Sequence, residues 1–321
     1  MKMISIVICK YDVANFQRCI KSIDDTKTEE YELVVIDNTL NKYDIFTAYN
    51  EGIKQSNGDY ICFMHEDIVY FEKGWMAKIH AHFENDSDVG MLGLAGGSSF
   101  TMFPLFWGLN YHVDDSAICL VELQKDGPSV VRRGFKKDTK QALIVDGFWF
   151  CVRKELITQH HITFDSNNFK GFHRYDYDIS FQIAQLAKIM VVQDILIIHY
   201  SSGSRKKEWL QATLDFHNKW KALLPCKIEE GKSGITKLEK SDADLVAFST
   251  FILMMKKLDF NRSEIVQVIR QNQFAANSKI KKINKLKLKL IALMPYLPYS
   301  VLLHTSNFLS FLIDLIKGRK F

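Results

Sequence analysis

The chain has 321 residues, 47% of them hydrophobic, enough to bury a sizeable core and to form one large domain with an appendage, which excludes a disordered tail protein. A formal charge of +5, with the lysines concentrated late in the sequence, is too modest and too local for a nucleic-acid surface. Six cysteines (Cys9, Cys19, Cys62, Cys119, Cys151, Cys226) make no Cys-x-x-Cys pair and several sit in apolar runs, the pattern of buried free thiols in a reducing cytoplasm rather than of a disulfide or zinc framework.

Residues 3–9 read as a continuous apolar strand, so early that no secretion signal is expected before it. A helix over 12–25 puts Val13, Phe16, Cys19, Ile20 and Ile23 on one face, and a second buried strand covers 31–37. A helix near 44–56 returns the chain to a strand at 59–64. Two successive crossovers predict a mostly parallel central sheet flanked by helices, with Asp37 and Asp67 at one edge. The spacing then predicts a helix near 73–84, a strand at 89–95, and an aromatic-rich irregular stretch over about 98–116. Strands near 117–124 and 141–152 flank a turn at Asp126-Gly127-Pro128. Helices follow near 153–159 and 176–187, then a strand at 189–197 and a helix over 205–223. The character changes past Pro225, where a polar stretch leads into a helical region near Ala243.

The third strand runs directly into His65-Glu66-Asp67. Hard cations prefer carboxylate oxygens, and in open α/β sheets ligands gather at the carboxyl ends of strands, although short acidic strings also occupy solvated turns. Taken with Met3–Cys9, Glu32–Asn38 and Ala48–Ile53, this spacing resembles the nucleotide-sugar half of a family 2 glycosyltransferase of the GT-A fold. The closest resemblance is to a bacterial branch linked to capsule and other surface polysaccharides, in which a His-x-Asp-like pattern replaces Asp-x-Asp. It covers roughly residues 1–220.

The resemblance implies an α/β GT-A catalytic domain over 1–225, with a donor half to about 100 and an acceptor half from about 101, followed by a helical extension over 226–321. It implies an inverting, metal-assisted transfer from a nucleotide-diphosphate sugar, most simply a UDP-sugar, to a saccharide or lipid-linked saccharide. On the donor side it places Asp37 at the nucleotide base, Asn50 and Gly52 nearby, and His65 and Glu66 beside the sugar nucleotide. Asp67 is the expected metal ligand, joined by His199; imidazole in the set favours Mn2+ over Mg2+. Gly171–Ser180 resembles the family's Glu-Asp-x-Asp/Glu-Leu helix start, with Tyr175 where Glu is usual. Asp176 then becomes the general base and Asp178 its support or a sugar contact. Asp146, Gly147 and Trp149 fall on the acceptor side.

Each position also has a local explanation. Asp37 suits a turn or helix cap, Asn50 and Gly52 a packed helix face, Asp176 and Asp178 the first turn of a helix, Asp146-Gly147 a bulge, Trp149 a core strand, and His199 a strand end. His65 and Tyr175 keep open a degenerate domain that binds saccharide or a partner without turnover. A nucleotidyltransferase is disfavoured, because Cys9-Lys10-Tyr11-Asp12 stands where a Gly-rich basic loop is expected. Residues 279–291 alternate lysines with Ile and Leu, as in a helix lying on a membrane surface, or alternatively a helical cover for the catalytic domain or a dimer partner. The apolar stretch to Ile316 is interrupted by Pro295 and Pro298 and suits a spanning helix poorly. The expected setting is therefore the cytoplasm or the inner face of the plasma membrane.

Overall fold

The computed structural model describes residues 2–103, 105, 115–200, 206–239 and 242–271. The first apolar run forms β1 (Ile4–Lys10), and Asp12 starts α1 (Val13–Thr26) by accepting the Asn15 N–H at 2.8 Å, a cap worth about 1 kcal/mol. Next come β2 (Glu32–Asp37), α2 (Ile45–Gln55) and β3 (Tyr60–Met64). Both β2 and β3 pair parallel with β1, so Asp37 and the residues after Met64 leave the sheet at one edge, as their spacing predicts.

Beyond β4 (Ile68–Tyr70) and α3 (Trp75–Asn85), the strand expected over 89–95 divides into β5 (Val89–Gly93) and β6 (Ala95–Gly97), followed by β7 (Ser99–Phe100). A hairpin of β8 (Ser116–Gln124) and β9 (Gly127–Arg133) turns at Gly127, whose φ of 116° favours glycine. The segment expected as one strand over 141–152 is instead β10 (Thr139–Ala142), β11 (Ile144–Val145) and β12 (Trp149–Arg153). Then come α4 (Lys154–Gln159), α5 (Tyr175–Ala184), β13 (Lys188–Val192), β14 (Ile197–His199) and α6 (Lys207–Trp220).

The central sheet has seven strands in the order β10-β13-β5-β12-β3-β1-β2. It is more mixed than expected, because β12 lies antiparallel between β3 and β5 and β10 lies antiparallel to β13. Alternation along the strands divides the core between the two faces. Val7, Ile61, Phe63 and Phe150 pack towards α2 and α5, while Ile6, Cys62, Met64 and Trp149 pack towards α1 and α3. The cysteines are free thiols, and all but Cys9 are buried.

The described residues fall into two compact units. The first holds 2–200 and 212–239; the second holds 206–211 and 242–271. The first runs past the boundary expected at 225, because β15 (Cys226–Lys227) pairs with β7 and with β16 (Thr236–Lys237). In the second, α7 (Asp242–Lys257) buries Phe248, Phe251 and Met255. There α8 (Arg262–Gln271) opens on a reciprocal Asn261/Glu264 capping box. Among the described residues no helix is long and apolar enough to cross a membrane. The basic segment 279–291, the stretch to Ile316 and the Ser201–Arg205 segment beyond Tyr200 lie outside them.

Candidate metal centre and cleft

Where β3 ends, the chain turns through His65-Glu66-Asp67 into β4, and β14 pairs antiparallel with β4 so that His199 stands opposite Ile68. That pairing, together with the Tyr200 N–H bonded to the Asp67 carbonyl at 3.1 Å, brings His199 to the end of β3 from more than a hundred residues away. Asp67 Oδ1 lies 3.3 Å from His199 Nε2 and 3.9 Å from His65 Nδ1. One ligand atom from each of the three side chains falls within 4.8 Å of the others. Asp67 Oδ1 and His199 Nε2 are buried and make no hydrogen bond. Two buried polar atoms without hydrogen bonds, facing each other, are costly unless something binds between them. Two imidazoles and a carboxylate form a donor set that can hold a divalent cation.

Burial, reinforced by the neighbouring His199, pushes the His65 imidazole down to about 4, so it is neutral and ligand-competent at pH 7. Burial pushes the Asp67 carboxyl up, but the facing His199 and His65 outweigh it and leave the group below its ordinary value. The Phe148 ring stacks on His199 at 5.0 Å, and the His65 backbone N–H donates to the Phe148 carbonyl at 2.9 Å, so the loop before β12 braces both histidines.

Beside this cluster opens a cleft of about 600 Å³, lined by Tyr11, Asn38, Lys42, Tyr43, His65 and Phe172 among others. Its size lies within the range of small-molecule sites. Asn38 shapes one wall: its amide bonds both the N–H and the C=O of Tyr43, closing the loop after β2. The exposed rings of Tyr11 and Phe172 stand at the rim. Sequence reasoning singled out His65 but missed Tyr11, Asn38, Lys42 and Tyr43, whose only signal was polar, aromatic and basic side chains in the loops that follow β1 and β2.

The other predicted positions separate into two groups. Asp176, at the start of α5, accepts the Gly147 N–H at Oδ2 and the Tyr177 N–H at Oδ1, each at 2.9 Å. Burial, then the neighbouring Asp146, push its carboxyl up to about 7. Asp146, Gly147 and Asp176 therefore form one polar group beside Tyr175, whose hydroxyl reaches both Gly147 and His65.

Glu66 lines the cleft and also accepts the N–H groups of Tyr11 and Asp12, pinning the start of α1. The structure gives the remaining positions structural work instead. Asp37 accepts from Thr39 and pairs with Lys10 in an exposed turn, and Asn38 takes its place in the cleft wall. The Asn50 amide brackets the Phe164 backbone in both directions. Trp149 is fully buried, its indole N–H bonded to the Tyr70 hydroxyl, so it cannot stack on a sugar. Asp178 is fully buried as well, held by Lys219, Trp220 and Gln182 rather than facing an acceptor. At Gly52 a Cβ would come within 2.3 Å of Val7 Cγ1, so close helix-to-strand packing explains the glycine. Gly52→Ala is accordingly expected to cost about 1–3 kcal/mol by overpacking, measured by urea unfolding, with nucleotide affinity unchanged.

A mixed α/β sheet carrying a metal-capable cluster and a cleft at the ends of its strands defines the class. The chain belongs to the Glycosyltransferase like family, whose sequence profile matches residues 5–221. Among solved structures it is similar to the crystal structure of GalNAc-T7 with UDP, GalNAc and Mn2+, with a TM-score of 0.46 and 13% sequence identity. That similarity covers 89% of this chain and 54% of the other, so the chain spans about half the length of that protein. No curated protein sequence matches this one.

Proposed function

We propose that this protein transfers a sugar from a nucleotide-diphosphate donor, most simply a UDP-sugar, to a saccharide or lipid-linked saccharide acceptor by an inverting single displacement. The observation that carries the reading is the His65, Asp67 and His199 cluster at the mouth of the cleft, with Asp67 Oδ1 and His199 Nε2 buried and facing each other unsatisfied. Membership of a glycosyltransferase family supports the reaction class.

In this reading the nucleotide lies along the wall formed by Asn38, Lys42 and Tyr43, with Lys42 supplying positive charge to phosphate. His65, Asp67 and His199 would hold a divalent cation, Mn2+ in preference to Mg2+, and when bound it would supply positive charge for the leaving diphosphate. Asp176 takes the acceptor hydroxyl proton while the new bond to the anomeric carbon forms and the bond from that carbon to the diphosphate breaks. Burial, and then the like charge of Asp146, raise the basicity of Asp176. The proposed setting, bacterial surface-polysaccharide synthesis at the inner face of the plasma membrane, rests on the sequence resemblance and on the basic segment 279–291.

A second reading, a degenerate domain that binds saccharide or a partner without turnover, draws on Asp176, because both of its oxygens already accept backbone N–H groups. Purified protein incubated with a panel of nucleotide sugars and Mn2+ separates the two. Slow release of nucleoside diphosphate from one donor, lost on adding EDTA, is the expected result. Metal-dependent nucleotide binding without any release favours the scaffold, and no nucleotide binding with or without metal removes the donor site and leaves the scaffold reading in the lead.

A further inference from the structure

Tyr175 opens α5 with its ring buried and its hydroxyl at a junction: 3.0 Å from the Gly147 carbonyl oxygen and 2.6 Å from His65 Nε2. A phenol has one proton, and a carbonyl can only accept. Gly147 is buried, and no other donor reaches its carbonyl among the described residues, so giving the phenol proton to His65 would leave that carbonyl orphaned. With the proton directed at Gly147, the phenol oxygen faces His65 as an acceptor, and Nε2 must carry a hydrogen. In a neutral imidazole the other nitrogen then holds the lone pair, and Nδ1 is the atom turned towards Asp67 Oδ1 at 3.9 Å.

We propose that Tyr175 is a positioning residue that fixes His65 in the Nε2–H tautomer and so presents Nδ1 to the divalent cation; the second half of this statement rests on the metal reading above. Gly147 is part of the device. A Cβ there would fall 2.3 Å from the Tyr175 hydroxyl oxygen, so only glycine leaves the phenol its place while offering its carbonyl. Outer partners of ligating histidines commonly fix the tautomer, and their loss costs about 10–100-fold in metal affinity.

The test uses the full chain with 15N-labelled histidine. Long-range proton–nitrogen correlation on metal-free protein, with His65 assigned through His65→Gln, reads the tautomer directly, and free Mn2+ followed by EPR gives the affinity. The wild type is expected to show Nε2 protonated and Nδ1 bare. Tyr175→Phe is expected to lose that single tautomer and to bind Mn2+ about 10–100-fold more weakly. Gly147→Ala, a second variant that keeps the phenol but pushes it off its position between Gly147 and His65, is expected to shift both readouts the same way. An Nδ1–H tautomer in the wild type, or an unchanged tautomer and affinity in Tyr175→Phe, overturns the proposal. Wild-type protein that binds no Mn2+ instead overturns the metal reading and the second half of the proposal with it. The tautomer of metal-free protein still decides the first half.

Discussion

Asp67→Ala is expected to abolish Mn2+-dependent binding of UDP and to lower turnover by about three orders of magnitude, because the carboxylate is the only anionic member of the cluster. Charge stabilisation at a metal centre is worth several kcal/mol, and about 4 kcal/mol corresponds to roughly a thousandfold in rate. Its expected effect on folding is small. The facing imidazoles hold the Asp67 carboxyl below its ordinary value, so its contribution to stability is present at neutral pH and is lost only as pH falls through the folded-state value. At pH 7 a modest loss on that account shifts Tm by at most about 4 °C. Calorimetric titration of UDP with and without Mn2+, alongside a melting curve, makes the check. Retained Mn2+-dependent affinity in a folded Asp67→Ala protein removes this cluster as the metal centre.

How much of this was legible in the sequence depends on whether a feature is local. The βαβ order up to β3 follows from runs of Ile and Val interrupted by helical periodicity, and it alone places Asp37 and Asp67 at one edge. The antiparallel insertion of β12 does not follow, because a strand buried on both faces has the same apolar composition in either direction. Cys62 and Cys151 become cross-strand neighbours through a pairing that no local pattern encodes. The site divides in the same way. His65 and Asp67 announce themselves by position, and the partnership of His199 with them depends on the β4–β14 pairing. Asp178 looked like Asp176 in the sequence because both sit in the first turn of α5. A two-residue step rotates a helical side chain to a different face, which here turns Asp178 into the core against Lys219 and leaves Asp176 beside Asp146 and Gly147. Tyr175 stood out only as a departure from the family pattern; its role is visible once Gly147 and His65 are seen on either side of its hydroxyl.

Asp176→Asn is expected to lower kcat/KM by about 10²–10⁴-fold, the range of a lost general base, and to remove a characteristic pH dependence. In the wild type a base must be ionised to accept a proton. With burial, then Asp146, raising its carboxyl to about 7 and Arg174 pulling the other way, kcat/KM should climb with pH and level off above neutrality. The asparagine variant should lack that limb. Stability runs in the opposite sense. A raised folded-state value means that the native protein keeps a proton the unfolded chain has released, so this group favours folding most at low pH and that contribution fades as pH rises through about 7. Between pH 5 and 8 the wild type should therefore lose stability on the order of 2 kcal/mol that the variant does not lose. Asparagine offers one acceptor oxygen where aspartate offers two, so either the Gly147 or the Tyr177 N–H loses its partner and the variant starts from a lower stability at pH 5. The diagnostic quantity is thus the change in the wild-type-minus-variant difference across pH, measured by urea unfolding at both ends. A difference that stays constant, together with a pH–rate limb that survives the substitution, would place the titrating base elsewhere and leave Asp176 as a cap for the Gly147 loop.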